Sequence, residues 1–129
     1  MAKTLWALGD AGLKSPIAKQ LGEMIWEDRP YKFLYLGDVY HDGLLTEYEK
    51  GYHPNFGEMK SLTWPILGNH DWNTGNCEGW KTYWEGRPCW YSRTVEDWKI
   101  LMLDSESSCE QHSFQWDFVK KNIENWHGP

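Results

Sequence analysis

The sequence has 129 residues and a formal net charge of −6, and these two values already narrow the classes of protein to consider. The length favours one domain, here residues 1–129, with room for a hydrophobic core. An acidic balance without a Lys/Arg-rich run argues against a nucleic-acid partner. No apolar run approaches the roughly 20 residues of a membrane-spanning helix, so we expect no membrane partner either.

Cysteine content and the start of the chain predict a cellular location. Cys77, Cys89 and Cys109 are odd in number and lack CxxC spacing, which is typical of inert thiols in a reducing compartment. Residues 1–4 lead directly into an apolar segment without a signal-peptide pattern. We therefore expect a cytoplasmic protein. The 10 tryptophans reflect either composition bias or a surface covered by another chain.

The predicted elements begin with a strand, a helix and a second strand. Residues 4–8 are apolar and predict a strand, and Ser15 followed by Pro16 predicts the start of a helix. Residues 32–36 predict the next strand. This order predicts parallel strands joined by a right-handed crossover. The helical face that we expect to be buried consists of Ile17, Leu21, Met24 and Ile25.

In the rest of the chain, segments without a clear periodicity alternate with segments that have the pattern of a strand or a helix. Pro65 favours an edge position or an irregular start for the third strand. The fold class is therefore α/β, with a mostly parallel βαβ core followed by a hairpin and a C-terminal helix. In chain order we predict a mixed, partly helical region (44–60), the third strand (62–67), a loop (73–87), a hairpin (90–95 with 99–103) and a helix (114–123).

Three short motifs each follow a predicted strand. Because the carboxyl ends of parallel strands meet at one edge of a sheet, we expect Asp10, Asp38 and Asn69 to lie close together. Carboxylate and amide oxygens bind hard cations, and such an arrangement is typical of a hydrolytic metal site. His70 is the candidate general acid, with Asp71 or Asp42 orienting its imidazole. The motifs are Gly9-Asp10-Ala11-Gly12, Gly37-Asp38-Val39-Tyr40-His41 and Gly68-Asn69-His70-Asp71.

The ordered set of motifs resembles the N-terminal half of the calcineurin-like metallophosphoesterase superfamily, whose members are binuclear-metal hydrolases on an α/β sandwich. The resemblance extends over residues 3–126. It implies that Asp10 binds the first metal ion, that Asp38 bridges two ions and that Asn69 binds the second. His70 would assist the leaving group. The implied cofactor is a pair of iron, manganese or zinc ions, and the implied substrate is a phosphate ester.

The first two motifs depart from the commonest family pattern. A histidine usually stands where this chain has Gly12, and glycine there is similar to the purple acid phosphatase branch. That branch binds its first metal through a tyrosine three residues after the second aspartate. Here His41 occupies that position and Tyr40 precedes it, so both residues remain candidate ligands.

The later histidines of the family, one on a further strand and a pair in a GHxH segment, have no counterpart here, and His127 is at most a remnant. We therefore expect an incomplete, N-terminal part of the domain. It is either a metal-dependent phosphatase or phosphodiesterase, completed by self-association or a partner chain, or a non-catalytic relative acting as an interaction module.

Overall fold

The computed structural model describes residues 3–12 and 14–128. Met1 and Ala2, on which the prediction of a leaderless start partly rests, lie outside the described residues. A parallel three-stranded sheet has helices on one face and an antiparallel hairpin on the other. The predicted α/β class is therefore confirmed.

The predicted βαβ unit is present. It consists of β1 (Leu5–Leu8), α1 (Pro16–Glu27) and β2 (Lys32–Tyr35), with β1 and β2 parallel in register. β3 (Thr63–Pro65) pairs in parallel with β2, which places β2 in the centre of the sheet. Pro65 therefore lies on an edge strand, as predicted, where its missing N–H costs least.

The buried face of α1 matches the predicted one in part, because Ile25 is buried and Leu21 packs against the core. Ile17 and Met24 are 69% and 45% exposed, whereas Gly22 is buried. α1 packs against α3 (His53–Phe56), and a Cβ atom on Gly22 would lie 2.0 Å from the carbonyl oxygen of Asn55. Gly22 therefore permits the close approach of the two helices, and Ile25 and Phe56 are buried in the core beside it.

Helical structure is more extensive than predicted. Between β2 and β3, residues 45–62 form a continuous helical path, and α4 lies inside the segment predicted as a loop, which corrects that prediction. Trp80 and Tyr83 of α4 are buried in the core, so tertiary packing outweighs the glycine and asparagine content of the segment. The path consists of α2 (Leu45–Glu47), a π-helical turn (Tyr48–Tyr52), α3 and a 3-10 helix (Gly57–Leu62), and α4 spans Glu78–Tyr83.

The C-terminal elements match the prediction. β4 (Tyr91–Val95) and β5 (Trp98–Met102) pair in antiparallel fashion. Their turn consists of Glu96 and Asp97, with Glu96 at a φ of 52°. α5 (Phe114–Glu124) begins at Ser113, whose side chain accepts a hydrogen bond from the N–H of Trp116.

Successive side chains of β2 point to opposite faces of the sheet and so contribute to two separate cores. Phe33 and Tyr35 face the helices, and Leu34 faces the hairpin. With both faces of the sheet covered, the open side is the edge at which the parallel strands end. All three motifs lie there, because each follows a strand. The helix-side core includes Ile25, Tyr52, Phe56 and Trp80, and the hairpin-side core includes Trp64, Tyr91, Val95 and Met102.

Candidate functional site

Hydrogen bonds tie the three motif loops together. The N–H of Asp10 donates to the carbonyl oxygen of Gly37 (3.2 Å), which joins the first loop to the second. The N–H of His70 donates to Oδ1 of Asp38 (2.9 Å), which joins the third loop to the second. The residues predicted from the motifs therefore lie on connected loops at one edge of the sheet.

Asp10 and Asp38 have the same unusual backbone conformation. Their φ angles are 55° and 57°, in the left-handed region that non-glycine residues seldom adopt, although aspartate tolerates it better than most. Such a conformation costs on the order of 1 kcal/mol and is concentrated at functional sites. Asp10 is exposed and Asp38 half-buried, so each strand ends by turning an aspartate toward the rim of the sheet.

Glycines permit the close approach of these loops. A Cβ atom on Gly12 would lie 1.6 Å from the carbonyl oxygen of Val39, and one on Gly37 would lie 2.2 Å from the backbone nitrogen of Gly68. The Val39 carbonyl thus fills the place in which the commonest form of the first motif carries a histidine. This backbone accepts no side chain at position 12.

Asp71 is a buried hub for the second and third loops. Its side chain is fully buried, and its Oδ2 accepts hydrogen bonds from the N–H groups of Asp38 and Gly68, both at 2.9 Å. Its Oδ1 accepts a hydrogen bond from the hydroxyl of Tyr48 at 2.5 Å. Burial raises the pKa of Asp71, and these donors oppose that rise. Asp71 therefore holds the loop of Asp38 instead of the His70 imidazole, which we predicted it to orient.

A backbone carbonyl orients His70. Its Nδ1 lies 2.8 Å from the carbonyl oxygen of His41, to which the side-chain amide of Asn73 also donates. Nδ1 also lies 3.0 Å from the side-chain amide nitrogen of Asn73. In the imidazolium form, Nδ1 donates to the carbonyl of His41, and Nε2 is the nitrogen that can give up a proton. The pKa of His70 is raised, and the hydrogen bond to the His41 carbonyl is the largest cause. Desolvation opposes the rise, and the charges of Asp38, Asp10 and Asp71 add to it.

Tyr40 and His41, the two alternative ligands, are exposed on the second loop. Their ring centroids are 4.2 Å apart, and His41 lies 6.4 Å from the ring of His70. Asp42, the other residue predicted to orient the imidazole, is exposed and donates its N–H to Glu47. Tyr40 also borders an open cavity of about 440 Å³, which is lined in addition by Gly12, Lys14, Thr46, Glu47, Lys50 and Gly51.

The donors at this edge fit part of a metal site. Asp10, Asp38 and Asn69 supply carboxylate and amide oxygens, which are the ligands of hard cations. Within residues 3–12 and 14–128, however, no three or more His, Cys, Asp or Glu side chains form a group that could hold a metal ion. Asp10, Asp38 and Asn69 are therefore candidates for part of a ligand set that the described residues do not complete.

Sequence reasoning missed two tyrosines that support the site. The hydroxyl of Tyr35 accepts from the N–H of Ala11 (3.3 Å) and lies 3.4 Å from the carbonyl oxygen of Asp38, to which it donates. Burial raises its pKa, so it remains a neutral hydroxyl. Tyr48, the partner of Asp71, comes from the helical path between β2 and β3. The core position of Tyr35 follows from alternation along β2, whereas nothing in the local sequence around Tyr48 points to Asp71.

Comparison with known families agrees with this geometry. The family model for calcineurin-like phosphoesterases matches residues 4–128. The chain belongs to the calcineurin-like phosphoesterase family, which confirms the superfamily recognised from the motifs. A comparison with curated proteins finds no match. In the described part of the chain, no helix is sufficiently long and apolar to cross a membrane.

Proposed function

We propose that this chain contributes to a metal-dependent phosphoesterase, with phosphomonoesters as the main substrates and phosphodiesters as further ones. The observation that supports this most directly is the pair of aspartates, Asp10 and Asp38, in left-handed conformations at the ends of adjacent parallel strands. We assign Asp10, Asp38 and Asn69 as ligands of two ions of iron, manganese or zinc. A further chain would supply the remaining ligands.

Bound metal ions supply charge stabilisation on the phosphoryl oxygens and an activated water. The protein's own contribution is orientation. Oδ1 of Asp38 is held by the N–H of His70, which fixes the plane of the carboxylate and favours Oδ2 as the metal donor. Asp71 acts as a positioning residue, because it holds the N–H of Asp38 from the buried side.

His70 is the proposed general acid. The carbonyl of His41 holds Nδ1, so Nε2 is the atom that would donate a proton to the departing alkoxide. The raised pKa increases the fraction of imidazolium at neutral pH, which is the form that can donate. A positioned general acid typically accelerates such a step by about 10²–10⁴-fold.

The open cavity beside Gly12 and Tyr40 is the proposed place for the substrate. It adjoins the first and second motif loops, and Lys14 and Lys50 lie along its wall. Two lysines beside a cluster of aspartates would attract an anionic ester in a chain whose net charge is −6. Tyr40, and His41 on the same loop, are the alternative additional metal ligands.

The test is an Asp38→Asn variant, because asparagine keeps an oxygen that can accept from the N–H of His70 while removing the carboxylate charge. Asp97→Asn, in the turn of the hairpin, is the matched control. We expect Asp38→Asn to lose bound metal by elemental analysis and hydrolysis of p-nitrophenyl phosphate, with the control unchanged. Metal content and turnover equal to those of the wild type in Asp38→Asn would refute the proposal.

Exposed aromatic residues favour a second candidate, a non-catalytic interaction module. Phe114 on α5 is 88% exposed and Trp98 on β5 is 61% exposed. Single exposed apolar residues are common, and side chains of this size can form part of a contact surface. Light scattering combined with metal analysis separates the two candidates: an assembled, metal-free and inactive protein favours the module, and an assembled, metal-loaded one favours the enzyme.

A further inference from the structure

Asp104 is a fully buried aspartate outside the three motif loops, in the segment between β5 and α5. Its Oδ1 accepts hydrogen bonds from the N–H of Glu106 (3.1 Å) and from the indole Nε1–H of Trp72 (3.2 Å). Its Oδ2 accepts from the hydroxyl of Ser107 (2.5 Å). Glu106 and Ser107 are close in sequence, whereas Trp72 lies 32 residues earlier in the chain. The bond to Trp72 therefore joins the C-terminal segment to the third motif.

The backbone of Asp104 is held by a side chain of α5. The N–H of Asp104 donates to Oε1 of Gln115 (2.8 Å), and Nε2 of Gln115 donates to the carbonyl oxygen of Asp104 (2.9 Å). Gln115 is only 4% exposed, so water competes little for these two bonds. Because both the backbone and the carboxylate of Asp104 are fixed, its Oδ1 is a preorganised acceptor for the indole of Trp72.

Trp72 ends the short 3-10 turn that follows the third strand. The turn spans His70–Trp72, and the backbone N–H of Trp72 donates to the carbonyl oxygen of Asn69 (3.1 Å). The preceding residue, Asp71, is anchored to the second motif loop, whereas the side chain of Trp72 is anchored to Asp104. Two successive residues thus hold this turn to two different parts of the fold.

We propose that Asp104 is a positioning residue for the third motif: by accepting the indole N–H of Trp72, it fixes the turn that presents Asn69 and His70. The consequence for turnover rests on the proposed phosphoesterase function, in which Asn69 is a metal ligand and His70 is the general acid. The positioning itself rests on hydrogen bonds between described residues, and it can be measured without substrate or metal.

The backbone N–H of His70 gives a direct readout of this positioning. It donates to Oδ1 of Asp38 (2.9 Å), so it is protected from exchange with solvent while the third motif loop is docked on the second. Its exchange rate therefore reports local opening of that contact. A substitution that only destabilises the whole domain would instead speed exchange at the amides of β2, which lies in the centre of the sheet.

The experiment compares amide hydrogen exchange in the full chain between the wild type and a Trp72→Phe variant. Phenylalanine keeps an aromatic ring in this partly buried position and removes the indole N–H. A hydrogen bond to a charged group contributes enough stability to change such an opening equilibrium about tenfold. We expect the His70 amide to exchange about tenfold faster, with β2 unchanged. Trp26→Phe, the same substitution at a 46% exposed position of α1, is the matched control and should behave as the wild type.

Two variants at Asp104 separate the hydrogen bond from the size of the aromatic ring. Asp104→Asn keeps an oxygen that can accept from Trp72, so the His70 amide should exchange within about twofold of its wild-type rate. Asp104→Ala removes the acceptor and should speed this exchange as Trp72→Phe does. In an active assembly, Trp72→Phe should also lower kcat for an alkyl phosphate about tenfold with KM unchanged, because it loosens the general acid and leaves the substrate cavity intact.

The proposal would be overturned by an unchanged exchange rate of the His70 amide in Trp72→Phe, by acceleration that β2 shares, or by equal acceleration in Asp104→Asn and Asp104→Ala. Trp72→Phe decides the first two points even if Asp104→Ala does not fold. Faster exchange with unchanged kcat in an active assembly would overturn the role in the reaction. A wild-type protein without metal-dependent turnover would refute the proposed function and leave the exchange result standing, so the two failures are distinguishable.

Discussion

Replacing Asp71 by alanine should be among the most damaging substitutions in the described part of the chain. The change removes the acceptor for three donors, namely the hydroxyl of Tyr48 and the N–H groups of Asp38 and Gly68. The Tyr48 side chain is only 1% exposed, so water cannot replace the lost partner. The loops that carry the second and third motifs would both lose their common anchor.

The magnitude follows from the burial of these donors. A buried donor left without an acceptor costs about 1–3 kcal/mol, and the two backbone N–H groups are only partly buried, so their cost falls at the lower end. Relief of the desolvated carboxylate offsets part of the loss. We expect Asp71→Ala to lower the free energy of unfolding by about 3–4 kcal/mol, a large part of the roughly 5–15 kcal/mol of a typical domain.

The Asp71→Asn variant keeps the shape of the side chain and removes its charge, so it separates the two contributions to stability. The amide oxygen of asparagine can accept from the N–H groups of Asp38 and Gly68, and the hydroxyl of Tyr48 can rotate to accept from the amide nitrogen. We expect a loss of about 1–2 kcal/mol. Urea denaturation followed by tryptophan fluorescence measures both variants, with exposed Asp97→Ala as the control, expected within about 0.5 kcal/mol of the wild type. A cost below about 1 kcal/mol for Asp71→Ala would refute the reasoning.

The pH dependence gives an independent check on the same carboxyl group. Burial raises the folded-state pKa of Asp71 above 3.8, so the folded state binds its proton more tightly than the unfolded state. Wild-type stability should therefore gain from this group as the pH falls from the raised pKa toward 3.8, and lose as the pH rises. Asp71→Asn lacks this contribution, so its deficit relative to the wild type should be larger in acid than at neutral pH. A deficit independent of pH would contradict the assigned shift.

Three further predictions test the site and the surface. Gly12→Ala, whose Cβ atom would overlap a backbone carbonyl, should cost about 3 kcal/mol or more, whereas Gly75→Ala, with a positive φ but open space, should cost about 1 kcal/mol; equal urea midpoints would contradict this. His70→Asn should reduce turnover of an alkyl phosphate far more than that of p-nitrophenyl phosphate, whose leaving group needs little protonation. His112→Asn is its matched control, since asparagine tolerates the φ of 69° at that position, and equal losses on both esters would exclude the general-acid role. Phe114→Ser should shift the assembly measured by light scattering toward monomer, and a wild-type protein that is itself monomeric at high concentration would remove the basis for this expectation.

Local sequence patterns sufficed for the elements whose signals are short-range. Ser15 and Pro16 begin α1 because a capping side chain and a preset φ act within one turn. The hairpin turns at Glu96 and Asp97, between two segments of strand-forming residues. α4 and the close contact at Gly22 of α1 were not predictable in this way, because Trp80 and Gly22 owe their positions to other parts of the chain.

The same distinction applies to the site. Asp10, Asp38, Asn69 and His70 follow from their positions behind strands, since parallel strands necessarily end at one edge. The anchoring role of Asp71 could not be read from the sequence, because its partners Tyr48 and Asp38 lie at sequence distances of 23 and 33 residues. A local pattern carries no information about such pairs.

The sequence by itself determined the family, the parallel sheet and the residues presented at its open edge. These depend on where the strands end, on the glycines at the turns that follow them, and on the chemistry of the residues there. Only the tertiary structure decided that the carbonyl of His41 rather than Asp71 orients His70, and that the hydroxyl of Tyr48 donates to Asp71. Burial, hydrogen-bond direction and close packing arise when distant segments meet, and these properties determine what the presented residues can do.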